Sequence, residues 1–308
     1  MQKKRWQRVD GVLLLDKPQG LSSNTALQQA RRLFSAAKAG HTGTLDPMAT
    51  GLLPLCFGEA TKFSADLLDA DKTYEAEVCF GVTTDTGDAE GEIRERRPVT
   101  AVPADLLALV PRFTGPITQV PPMYSALKRD GKPLYELARQ GVEVERQPRQ
   151  ITIHALDVLD TACDEAGHLV RARLAVSCSK GTYIRVLAED IGAALGCGAH
   201  LTALRRTRVG TLTLDGAATL AQLDGLDEAA RAACLAPVDA LLSTLPRVDV
   251  TPAQHGPLSH GNPVPREAAG DIGKVRIYAN GVLLGMGEQG SDGWLRPKRM
   301  VQAAEGNA

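Results

Sequence analysis

The sequence predicts an α+β protein in two unequal parts, a large domain over residues 1–245 and a small β-rich module over 246–308. Three observations predict it. Period-two strands and amphipathic helices both occur, but they do not alternate as in a βαβ repeat. The composition changes near Leu245, where a Gly- and Pro-rich tail begins. Inside that tail, Val275 to Tyr278 and Val282 to Met286 flank Asn280-Gly281, a strong hairpin signal.

Taken in order, residues 11–15 are an apolar run bounded by Gly11 and Asp16 and read as a buried strand. Lys17-Pro18-Gln19-Gly20 breaks it as a turn. Ser22 or Ser23 then caps a helix whose apolar face is Leu27, Ala30, Leu33 and Phe34. Four glycines and two prolines between 38 and 58 forbid a regular element through most of that stretch. From Lys72 to Phe80, Tyr74, Ala76, Val78 and Phe80 share one strand face and Glu75 and Glu77 the other. Residues 115–150 are Pro- and charge-rich and read as a surface excursion. Val170, Ala172, Leu174 and Val176 mark a second alternating strand. A helix follows from about Tyr183 to Leu195, ended by Gly196, and a short one over 199–205 ends in Arg205-Arg206. Residues 224–239 are acidic and helical in flavour.

Composition excludes several classes. Hydrophobic residues make up 44% and charged residues 23%, so a chain of 308 residues can bury a sizeable core and is neither disordered nor fibrous. With 35 Lys and Arg against 36 Asp and Glu, the net charge is −1. That excludes a wholly basic protein but not a local basic face. Six cysteines form no C-x-x-C pair and no zinc spacing with histidine, which favours free thiols in a reducing cytosol. No apolar run reaches the length of a signal core or a membrane span, so a cytoplasmic protein with no membrane association is expected. There is no HExxH, no carboxylate triad at metal spacing, no Gly-rich nucleotide fingerprint and no G-x-S-x-G, so neither metal nor cofactor is expected.

Two segments can carry chemistry. Gly40 to Leu53 holds His41 and Asp46 in a loop stiffened by glycine and proline, and an Asp before a Pro is not helical. It either presents its carboxylate or shapes the loop as an Asx-turn. Ser179 to Arg185 follows a strand and opens a helix. Tyr183 and Arg185 either share a cleft or are half-buried and surface side chains. Tyr74 reads first as core. Basic clusters at Lys3, Lys4, Arg5 and Arg8, at Arg205, Arg206 and Arg208, and at Arg296, Lys298 and Arg299 are compatible with a nucleic-acid face. So is the excursion 119–150, where Lys128 and other basic residues are interleaved with Tyr124 and Tyr135.

These residues also carry a resemblance. Gly11 to Pro18, Gly40 to Pro54, Gly58-Glu59-Ala60-Thr61-Lys62, Lys72-Thr73-Tyr74, Pro121 to Lys128, Cys178 to Arg185, Gly196 to Leu201 and Leu204-Arg205-Arg206 resemble, in order, the TruB family of bacterial tRNA pseudouridine synthases. The similarity covers roughly residues 10–245, and the tail resembles a PUA-type RNA-binding module. The resemblance implies a catalytic domain built on a mixed, largely antiparallel sheet. It implies isomerisation of uridine-55 in the T loop of tRNA, with no cofactor. Asp46 would be the nucleophile and Arg185 its partner. Tyr74 would stack on the target base and help proton transfer as a catalytic residue, and His41 would help extrude the base. Tyr183 and Leu204 would line the pocket, and Lys62 would support it. Residues 119–150 would grip the T arm. Lys128, Arg205, Arg206 and Lys298 would meet phosphates. The chain would act as a monomer without an obligatory protein partner and could also assist tRNA folding. Two other readings are an RNA-guided synthase of the dyskerin type, which the lack of a Lys-rich tail disfavours, and a non-catalytic RNA chaperone.

Overall fold

The computed structural model describes residues 6–266 and 273–302. The chain opens with β1 (Gly11–Lys17), α1 (Ser23–Leu33), β2 (Ala39–His41), β3 (Thr50–Phe57), α2 (Ser64–Leu68) and β4 (Lys72–Phe80). A ribbon of β5 (Val82–Thr84) and β6 (Ile93–Arg96), then α3 (Pro103–Leu109) and β7 (Gly115–Gln119), lead to a small hairpin, β8 (Lys128–Arg129) and β9 (Lys132–Pro133). Next come α4 (Leu134–Arg139), β10 (Arg149–Cys163), β11 (Leu169–Cys178), α5 (Ile184–Ala194) and β12 (Ala199–Val209). The large part closes with β13 (Leu212–Thr213), α6 (Leu220–Gly225), α7 (Glu228–Ala233) and β14 (Leu235–Ala236). The tail holds β15 (Arg247–Asp249), α8 (Pro252–Ser259), β16 (Val264–Pro265), β17 (Gly273–Ala279), β18 (Val282–Gln289) and β19 (Trp294–Met300).

Among the described residues, the first fourteen strands build a ten-stranded sheet in the order β14-β1-β3-β12-β4-β11-β10-β7, with β2 and β13 on side branches, and two small ribbons. All pairs in the large sheet are antiparallel except β3 with β12. This is an α+β fold with a mixed sheet. Both faces of β1 and β3 are covered. Leu13, Leu15, Leu53 and Leu55 face one apolar cluster, with α1 and α5, while Val12, Leu52 and Cys56 face another. Burial on both faces is why β1 reads as an unbroken apolar run. Ser22 caps α1 by accepting from Thr25 N, as the Ser-rich turn predicts.

Three expected elements differ. Residues 199–205 are not a helix but the start of β12, the strand between β3 and β4. A register shift between Leu201 and Ala203 puts Leu201 and Leu204 on one face three residues apart, which mimics helical spacing. About half of the stretch 38–58 is strand, in β2 and β3. Gly51 (φ +97°) lets β3 approach β12 so closely that a Cβ would lie 2.3 Å from Arg206 O. Pro54 O accepts from Thr42 N, so its ring nitrogen faces that same edge and no bond to β1 is lost. Within 224–239, helix is confined to the end of α6 and to α7, followed by β14 and a 3₁₀ turn over Val238–Leu242.

The tail strands form a five-stranded sheet, β15-β17-β18-β19-β16, around Val248, Leu258, Val275, Ile277 and Leu295. Asn280 and Gly281, both at positive φ, turn β17 into β18. Met286 of this sheet packs into the second apolar cluster of the large part, with Phe63 and Leu241.

Candidate active site

Asp46 rides on the loop between β2 and β3, and its neighbours on both sides are tied to the core. Ser23 Oγ donates to Leu45 O at 2.9 Å and accepts from Leu45 N at 2.7 Å. Pro47 O accepts from Gly20 N at 2.8 Å and from Lys17 Nζ at 3.4 Å. Lys17 is fully buried, and its ammonium also donates to Pro18 O and Leu21 O. Burial pushes its pKa down to about 8, against the pull of Asp46 and Glu90. The loop backbone is thus satisfied by fixed partners, and the carboxylate is aimed before any ligand arrives.

Arg185, the second residue of α5, meets that carboxylate. Its guanidinium is 5% exposed, with Nη2 3.0 Å from Asp46 Oδ2. Nη2 also donates to Tyr124 O at 2.6 Å and Nη1 to Thr86 O at 2.8 Å, while Nε lies 3.6 Å from Asp88 Oδ2. Gln119 fixes the entry to α5 by accepting from Tyr183 N and donating to Tyr183 O. Asp88 is buried and held by Thr86 Oγ1 at 2.6 Å. Its loop is anchored to β12 by Leu201 N donating to Gly87 O.

The Asp46 side chain opens to the cavity at 38% exposure, yet it lies deep among protein atoms. Burial raises its pKa above the ordinary carboxylate value; Arg185 pulls it back and Asp88 pushes it further up. Arg185 therefore limits, but does not cancel, the cost of burying the charge.

Beside this pair, Tyr74 of β4 stands opposite Arg206 of β12. Burial raises the Tyr74 phenol, and Arg206 draws it back. Asp46, Tyr74, Tyr183, Arg185 and Leu204 together line a cavity of about 230 Å³. A second cavity of about 770 Å³ shares Asp46 and Arg185 and extends to His41, Tyr124 and Arg139. Burial and the nearby Arg206 lower the His41 pKa, so its imidazole is neutral at neutral pH.

Other expected site residues stand elsewhere. Arg206 is not on a phosphate-facing surface. It is 1% exposed, donates to Leu52 O and Gly43 O, and forms part of the floor of the smaller cavity. Arg205 makes a bidentate pair with Asp16. Lys62 lines neither cavity: its ammonium bonds Glu59 and Met300 O, so it joins the large part to the tail sheet. Lys128 is exposed on the β8–β9 hairpin, and Lys298 pairs with Glu288. Lys3, Lys4 and Arg5 lie outside the described residues. The stretch 119–150 is not all surface, since Gln119, Ser125 and Leu134 are buried. Among the described residues, no group of three or more His, Cys, Asp and Glu side chains could hold a metal, and no helix is long and apolar enough to cross a membrane. The six cysteines are free thiols.

Comparison with known proteins gives the family. Residues 31–184 match the family described as TruB family pseudouridylate synthase (N terminal domain). Residues 185–243 match the tRNA pseudouridylate synthase B C-terminal domain, and 246–301 match pseudouridine synthase II TruB, C-terminal. The tRNA pseudouridine synthase B of Dechloromonas aromatica (strain RCB) is 62% identical over 303 residues, covering 98% of this chain and 99% of that one. The chain belongs to the TruB family of pseudouridylate synthases. A second relative, tRNA pseudouridine synthase B of Ralstonia pickettii (strain 12J), is 60% identical over 95% of this chain and 94% of its own. The TruB fold is shared with a chain in the structure of an H/ACA RNP bound to a substrate RNA containing 2′-deoxyuridine. There the TM-score is 0.71 at 23% identity, over 96% of this chain and 86% of that one. A Cbf5-Nop10-Gar1 complex gives a TM-score of 0.68 at 27% identity, over 92% and 83%.

Within this TruB site, sequence reasoning missed Lys17, Asp88, Gln119 and Ser125, and misplaced Arg206. A lysine closing an apolar run was the one available signal for Lys17. Asp88 sits in an Asp-Thr-Gly-Asp turn whose composition points only to a loop.

Proposed function

We propose that the chain isomerises uridine-55 in the T loop of tRNA to pseudouridine, with Asp46 as the nucleophile on a base turned out of its stack. The observation that carries this reading is the Asp46–Arg185 pair at 3.0 Å, set on the wall of a cavity that Tyr74 also faces. The tRNA substrate follows from relatives named tRNA pseudouridine synthase B that align over nearly the whole chain.

The reaction breaks the N1–C1′ glycosidic bond and joins C5 of the same base to C1′. The C5 hydrogen leaves to solvent and N1 gains a proton, so atoms and electrons balance within the uridine. The Asp46 carboxylate forms the transient bond to substrate, which requires it to be ionised. Because burial raises its pKa, turnover is lost as pH falls through a value higher than that of an ordinary aspartate. Arg185 orients the carboxylate and favours its charged form. The Tyr74 ring offers a stacking face, worth ~1–3 kcal/mol per base. Leu204 keeps the wall apolar, and neutral His41 stands at the wider cavity where the base would leave its stack. In this reading residues 1–245 are the catalytic domain, 119–150 grip the T arm, and 246–308 are a PUA-like RNA-binding domain.

The test is to incubate the purified chain alone with tRNA carrying tritium at uracil C5. The proposal expects tritium release that vanishes when position 55 is cytidine. Release only after adding a guide RNA or partner proteins would favour the RNA-guided reading. Binding without release under either condition would favour a chaperone.

A further inference from the structure

Four buried polar side chains stand on the wall of the smaller cavity: Lys72, Ser125, Arg185 and Arg206. Three are committed to protein partners. Lys72 donates to Leu67 O, Leu68 O and Ala70 O. Arg185 serves Asp46, Thr86 O and Tyr124 O, and Arg206 serves Leu52 O and Gly43 O. Ser125 is different. It is 5% exposed and lines both cavities; its Oγ approaches the Tyr183 phenol closely enough to pull that phenol's pKa down, yet it does not reach hydrogen-bond geometry with that or any other group. A buried hydroxyl left unpaired is destabilising, so such groups are rare without a reason.

The hydroxyl is also held in place. Ser125 N donates to Met123 O at 2.9 Å, and Ser125 O accepts from Tyr135 N at 3.1 Å. The carbonyl just before it, Tyr124 O, takes the Arg185 guanidinium at 2.6 Å. The residue that grips Asp46 therefore also positions the Ser125 backbone. A hydroxyl both donates and accepts, and the polar edge of uracil offers two carbonyl oxygens and one N–H. We infer that Ser125 Oγ is a base-contacting group that hydrogen-bonds the polar edge of the pyrimidine admitted to the smaller cavity. This rests on the proposed reaction. It gives the stretch 119–150 a direct part in recognising the base, beyond holding the RNA.

The test compares wild type with Ser125→Ala in three measurements. The first is binding to intact tRNA and to tRNA made abasic at the target position. Wild type prefers the intact tRNA, and the variant loses roughly tenfold of that preference, the worth of one hydrogen bond, while binding abasic tRNA as wild type does. The second is kcat/KM for tritium release, which falls by a similar factor. The third is thermal unfolding of the free protein, where the variant melts no lower than wild type, since removing an unpaired buried hydroxyl costs nothing. An unchanged preference for the base overturns the contact. So does equal weakening on abasic tRNA, which would place the hydroxyl's role in the insertion backbone. Failure of wild type to release tritium overturns the reaction, while base-dependent affinity still decides the contact.

Discussion

Charge is used in opposite ways around Asp46 and on the tail sheet. Lys17, Arg185 and Arg206 are buried, and each is held by two or more carbonyl oxygens. On the tail sheet and its turns, Lys298–Glu288, Arg296–Asp292 and Arg247–Asp249 are pairs in which both side chains are at least 43% exposed. A buried cation has no alternative partner in water, so its geometry is fixed and its loss leaves carbonyls unpaired. An exposed pair is worth little and can exchange its carboxylate for an RNA phosphate. The candidate active site is therefore specified by position, and the tail end by available charge.

The largest effect is expected at Arg206. Arg206→Met should cost on the order of 3 kcal/mol, because two carbonyls lose their buried donor. Urea unfolding measures it, and a loss under ~1 kcal/mol would show that the buried site relaxes like a surface. Arg185→Gln comes next. Turnover should fall by ~10²-fold as the carboxylate loses its orientation. The acid limb of the pH profile should also move to higher pH, because the group that pulls Asp46 down is gone. Arg185→Lys should be milder, keeping the charge but not the fork.

Smaller effects are expected at the tail sheet. Lys62→Met removes bonds to Glu59 and Met300 O and should cost ~1 kcal/mol, with faster hydrogen exchange in β19. Turnover by bound enzyme should not change, since Lys62 stands at the junction with the tail and not in the cavity. Lys298→Glu should leave the urea midpoint where it is. Its expected effect is on tRNA binding, whose salt dependence should become shallower by about one.

How much of this was legible follows the same physics. The Asp46 loop, the Ser22 cap and the Asn280-Gly281 turn were readable because local backbone chemistry dictates them. β12 was not, because a bulge changed its period and only its neighbours explain the result. Arg205 and Arg206 look alike in sequence. Alternation in β12 sends one to Asp16 and half exposure and the other under the cavity, and which way each points depends on register with β3 and β4. Asp88 and Gln119 acquire roles only through partners far along the chain. Lys62 sits in a motif that resembles the family, but its sequence does not reveal that the ammonium reaches Met300 O.

The most direct measurement is tritium release and tRNA affinity for Asp46→Asn, made together on a variant whose circular dichroism matches wild type. Asn keeps the size and can still form an Asx-turn, but it lacks the charged oxygen that would bond to substrate in the proposed reaction. Background release with affinity within a few-fold of wild type is expected, the pattern of an interaction needed only in the transition state. Near-normal release by Asp46→Asn would contradict it, leaving Asp46 as a residue that shapes its loop.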